Sequence, residues 1–129
     1  MFGSEYEEDY IMRQIKNIVK AVARVAFRAD TTRELRLEQQ ADEYAARLTE
    51  NAAAGHINEA ENQLYADTEN RDPAALAAGL RFYEYLNSLD DAFLKAHDFS
   101  REEVYEGLLH LVRAYELDGL AELFTEEEL

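Results

Sequence analysis

The chain has no cysteine, no tryptophan and one proline among 129 residues. Without cysteine there are no disulfides, no thiol nucleophile and no cysteine–metal centre, although this says little about compartment. The five glycines stand alone, so there is no glycine-rich phosphate loop. β-branched residues thin out after position 25, and no useful strand-like alternation occurs. Long apolar runs are missing too. The only apolar stretch near the start is interrupted by Arg13, Lys16, Lys20 and Arg24. It therefore reads neither as a secretory leader nor as a membrane span, which needs about 20 mostly apolar residues. A cytoplasmic protein is the expectation. Basic charge is scarce as well: 13 Lys and Arg stand against 28 Asp and Glu, for a net charge of −15. Nucleic-acid binding rests on a basic footprint, so no nucleic-acid partner is expected.

What is present favours helix. Apolar content of 47% and 14 Phe plus Tyr argue against disorder despite the charge. Ala, Glu, Leu and Arg are the main constituents. The length suits one domain, residues 1–129. The fold class expected is all-α, with six or seven helices in antiparallel hairpins.

Charge is unevenly distributed. Residues 10–29 hold five basic side chains and no acidic one, whereas residues 30–129 hold eight basic and twenty-four acidic ones. Within the basic stretch Ile11, Ile15, Ile18, Val22 and Val25 recur at spacings 4, 3, 4, 3, the two-position seam of a heptad. A basic amphipathic helix over residues 7–28 follows. Three roles fit it: a core helix whose cations cover and pair with an acidic body, a self-association seam, or a surface helix for a membrane or acidic partner. The surrounding acidity and the β-branched seam make a membrane surface the weakest of these.

Helical hairpins are expected over residues 31–116. Thr31 with Glu34 has the capping-box form, and the second helix runs to about residue 53. Gly55 is a natural stop. A third helix spans 57–69, with Ile57, Ala60 and Leu64 inward. Asp72-Pro73 pairs a good N-cap with the residue favoured at the first helical position, opening a fourth helix over 73–87. Gly79 and Gly107 suggest close helix crossings. Ser88 and Asp91 are candidate caps for a fifth helix over 89–96. Ser100 with Glu103 is a second capping box, opening a sixth helix over 101–115. Residues 120–124 can add one turn, and 125–129 read as a short acidic tail.

Residues 31–73 resemble a tetratricopeptide-type hairpin. Tyr44 falls at the first large apolar position, Gly55 at the turn, Ala60 at the small position and Leu64 at the next apolar one. Asn51, Asp67 and Leu48 depart from the pattern, and no second 34-residue copy follows. The resemblance implies a tetratricopeptide-like right-handed arrangement. The stretches around Asp9-Tyr10-Ile11-Met12-Arg13 and His97-Asp98-Phe99-Ser100-Arg101-Glu102-Glu103 resemble a family of small helical proteins from Gram-positive bacteria, known as a domain of unknown function. That resemblance implies a bacterial, intracellular, helical protein and transfers no catalytic residue.

No catalytic, cofactor or metal constellation stands out, and a non-enzyme is expected. His97 beside Asp98, and His110 four residues after Glu106, each offer two ligands where a site needs three or four. Tyrosine joins an apolar body to a polar tip and is enriched at interfaces. Three of the eight tyrosines, with Phe82, therefore supply the candidate partner contacts: Tyr65, Phe82, Tyr83 and Tyr85. The spacing of the last three cannot put all of them on one narrow face. The function expected is a protein- or peptide-binding module with acidic rims suited to a basic segment. The alternatives are a homodimer built on the 11–25 seam and a metal protein or enzyme using His97 and His110.

Overall fold

A computed structural model describes the backbone at residues 2–26 and 31–117, and side chains at 9–26 and 39–117. The described residues form six helices and no strand: α1 (Phe2–Ala26), α2 (Thr31–Ala53), α3 (Ile57–Thr68), α4 (Pro73–Ser88), α5 (Asp91–Ala96) and α6 (Arg101–Ala114). The all-α expectation holds. The Thr31 capping box, the turn at 120–124 and the tail at 125–129 lie outside the described residues or side chains.

Helix starts follow local chemistry. The Ala74 amide donates to Asp72 Oδ1 at 3.0 Å, with Pro73 next in the chain. The Glu103 amide donates to Ser100 Oγ at 3.1 Å, closing one half of the capping box. The other half differs, because the Ser100 hydroxyl donates to the Glu103 carboxylate at 3.2 Å. The cap of α5 is Asp90, whose Oδ1 accepts from the Phe93 amide at 2.8 Å, and neither Ser88 nor Asp91 fills that role. Ser88 closes α4 with its hydroxyl on the Tyr85 carbonyl, and Leu89 is extended. These two residues delay α5 beyond the expected start.

Three helices end in the same way. After α2, His56 N bonds Asn51 O and Gly55 N bonds Ala52 O, with Gly55 at φ 96°. After α5, Phe99 N bonds Leu94 O and Asp98 N bonds Lys95 O; after α6, Leu117 N bonds Val112 O and Glu116 N bonds Arg113 O. Each is a Schellman closure, which needs one left-handed residue. Asp98 (φ 56°) and Glu116 (φ 59°) supply it without glycine. Buried Leu94–Phe99 is the apolar pair that accompanies such a closure.

The core is organised around α4. It packs on α2, α1, α6 and α3, while α1 also lies against α6 and α3 also lies against α2 and α6. Leu76, Leu80, Phe82, Tyr83 and Leu86 of α4 are all buried, and residues from every other helix join them in one continuous cluster. A Cβ on Gly79 would lie 2.7 Å from Leu111 Cδ2, so its absence brings α4 and α6 together. Because α1 closes onto both α4 and α6, the packing is a bundle. In a tetratricopeptide stack each repeat meets only its neighbours.

The corner between α4, α5 and α6 is held by Arg101, only 4% exposed. Nη1 donates to the carbonyls of Leu86 (3.2 Å) and Asn87 (2.7 Å), and Nη2 to Leu89 O (2.6 Å) and Asp91 Oδ1 (2.9 Å). The last carbonyls of a helix have no intrahelical donor, and this guanidinium supplies it. Asn87 Nδ2 in turn donates to Met12 O at 3.0 Å, joining the end of α4 to α1.

Candidate functional site

Four residues from three helices converge where α3, α4 and α6 meet. Tyr83 is wholly buried, and its hydroxyl donates to Glu61 Oε2 at 2.7 Å. The Tyr65 hydroxyl lies 3.3 Å from the Tyr83 hydroxyl. Outside them the Tyr65 and His110 rings stack at 4.3 Å between centroids, tilted by 44°. Glu61 and Tyr65 are one turn apart on α3 and so share a face. Gly107 of α6 makes the approach feasible. A Cβ there would lie 2.6 Å from the Tyr83 hydroxyl and would press on the Glu61 carboxylate.

The electrostatics follow from burial. Loss of water raises the Glu61 pKa above the ordinary glutamate value. The Tyr83 and Tyr65 hydroxyls oppose that rise, the Glu103 charge adds to it, and His110 opposes it. Burial also raises Tyr65, partly opposed by its bond from Tyr83. Tyr83 goes well above the normal tyrosine value, from burial first and the Glu61 charge second. Both phenols therefore stay protonated at neutral pH. The site is a half-buried carboxylate held by neutral hydroxyls behind an aromatic rim. Such a group accepts a proton or a compact organic cation, with the rings supplying a cation–π surface.

A second tyrosine group fastens the far end of α3. Tyr44 of α2 donates to Asp67, with Arg47 lying 5.3 Å over its ring. The Tyr115 hydroxyl donates to Asp72 O at 2.6 Å. Burial, then the Asp72 charge, pushes the Tyr115 pKa up to about 12.

Of the expected partner contacts, Tyr65 and Tyr83 come together. Phe82 packs edge-on against Tyr83 at 5.2 Å, and both are fully buried, so neither presents a ring to a partner. Tyr85 is half-buried against the core. In the α1 seam Ile15, Ile18 and Val22 are fully buried, Ile11 packs partly buried on the same core, and Val25 is 48% exposed. The middle of the seam is thus occupied by the chain's own helices. His97 and His110 keep different company. His97 lies against Phe93 (4.5 Å) and over Gly55, whereas His110 lies against Tyr65. Among the described residues no three His, Asp or Glu gather as a metal site, and no helix is long and apolar enough to cross a membrane. Sequence reasoning missed Glu61. Its available signals were the one-turn spacing to Tyr65 and the interior glycine at 107.

This six-helix bundle belongs to a protein class recognised by sequence across most of its length. Residues 5–116 match the model of a family of unknown function, DUF6483, and the chain belongs to that family. Searches of curated proteins and of solved structures each returned no match.

Proposed function

We propose that the protein is a non-catalytic binding module that takes a lysine- or arginine-bearing protein segment at the α3–α6 face. The observation behind this reading is the Glu61 carboxylate, seated between the Tyr65 and Tyr83 hydroxyls and rimmed by the Tyr65–His110 pair. An ammonium or guanidinium entering there gains a charge-assisted hydrogen bond, worth about 1.5–3 kcal/mol, and an aromatic wall. The acidity of the chain draws such a segment in. The α2–α3 hairpin, closed at Gly55, supplies one edge of this face. Its tyrosines act here as walls and bolts, and the partner's cation is the anchor. The buried centre of the seam makes self-assembly through α1 the less favoured reading.

The test is fluorescence anisotropy with a labelled helical peptide bearing lysines one turn apart. Glu61→Gln and Tyr65→Ala are each expected to weaken binding about tenfold or more. Binding that is unchanged in both variants would remove the site from the proposal.

A further inference from the structure

The outer face of α1 carries Arg13, Lys16, Lys20 and Arg24, all exposed. At 3.6 residues per turn, the spacings 3, 4, 4 place them within an arc of about 80°, along a line roughly 16 Å long. The line lies opposite buried Ile15, Ile18 and Val22. Exposed Asp9, one turn before Arg13, closes its N-terminal end.

These cations differ from four of the six described cations of the body, Lys95 and Arg113 being the other two. Arg71 pairs with Glu116, Arg81 with Asp42 and Arg101 with Asp91, and Arg47 lies over Tyr44. Among the described residues, none of the four on α1 makes a side-chain hydrogen bond or ion pair. They therefore do not pair directly with the described carboxylates of the body. Lys16–Lys20 and Lys20–Arg24 are also like-charge pairs one turn apart, each destabilising the helix by about 0.2–0.5 kcal/mol. Among the described residues no ion pair offsets that cost.

We propose that this stripe docks an acidic segment of another protein, with carboxylates repeating every three or four residues. Size and chemistry favour a short segment. A helix that sits in a membrane interface buries its apolar face in lipid, and this one has buried that face in its own core, leaving Val25 as the exposed large apolar side chain. A lipid surface or a long duplex would extend past the stripe and meet a body more acidic than the net −15. Screening over about 8 Å at physiological salt weakens that repulsion but does not remove it at close contact. A segment matching four cations avoids it. This surface lies on α1 and does not depend on the Glu61 reading.

The experiment uses the full chain and a fluorescein-labelled helical peptide carrying four glutamates at the same spacings. Anisotropy is followed at low and physiological salt, and circular dichroism serves as the fold control. Binding should weaken steeply with salt. Lys16→Gln with Lys20→Gln should weaken it about tenfold, a loss of roughly 1.4 kcal/mol. The reversal Lys16→Glu with Lys20→Glu should abolish it, leaving helicity and thermal stability intact. The proposal is overturned if the peptide does not bind at low salt, or if binding survives the reversal. Equal or tighter binding to phosphatidylserine–phosphatidylcholine vesicles, or to duplex DNA, overturns it in favour of that polyanion.

Discussion

Helices α4 and α1 occupy opposite places in the bundle. α4 is apolar on nearly every side. Its charged residues are Arg81 and Glu84, and the buried set runs round it from Ala75 and Leu76 through Gly79 to Phe82, Tyr83 and Leu86. α1 has one buried stripe, and its far face is charged. A helix that is hydrophobic all round goes inside, while a striped one covers the outside. The difference shows that an unusual charge is a poor guide to the centre of a fold. The basic helix is conspicuous in the sequence, but the quieter helix is the hub. The Gly79 crossing and the Asn87–Met12 bond show how α4 holds its neighbours, α1 included.

Three measurements bear on that contrast. The largest effect is expected from truncating the hub. Phe82→Ala should cost about 3–5 kcal/mol in chemical denaturation, while Ile11→Ala on half-buried α1 should fall below about 2 kcal/mol, the lower end for buried isoleucines. Equal losses would break the distinction between hub and cover. The second effect has the opposite sign. Gln14 on α1 is 2% exposed, and neither amide atom has a hydrogen-bond partner among the described residues. An unpaired buried amide costs about 1–3 kcal/mol, so Gln14→Met should raise the melting temperature. A lower melting temperature would mean that the amide earns its place.

The smallest effect concerns Glu61. Its raised pKa means that the folded chain holds the proton more tightly than the unfolded chain does. The associated stability is fully present below the ordinary glutamate range and is lost as pH rises through the raised value. Glu61→Gln cannot ionise, and its carbonyl can still accept from Tyr83. The variant should therefore be more stable than the parent at neutral pH, with the gap closing in acid. Melting curves against pH that stay parallel would contradict the burial argument.

Much of the framework is legible in the sequence, because capping chemistry is local. Asp72-Pro73, Ser100 with Glu103, and Gly55 each satisfy or terminate backbone groups within a few residues. The stops at Asp98 and Glu116 are harder to read, since aspartate and glutamate there adopt the left-handed conformation that usually marks glycine. The spacing of 4 and 3 puts Leu76, Leu80 and Tyr83 on one stripe. It could not show that Phe82 is equally buried, because that depends on helices covering α4 from several directions. The candidate site was half-visible. The tyrosines stood out by number, whereas Glu61 looked like one carboxylate among 28. Arg101 was invisible for a related reason. Three of its four partners are backbone carbonyls, which every sequence possesses.

In mechanical terms that arginine is a tie rod across a corner. One rigid planar group is fixed to the last turn of α4, to the link after it and to the first residue of α5, while its own backbone begins α6. Swinging α5 outward would strain bonds on both sides of the link at once. The corner therefore behaves as a bracket and not as a hinge, and the two faces on either side of it keep a fixed angle.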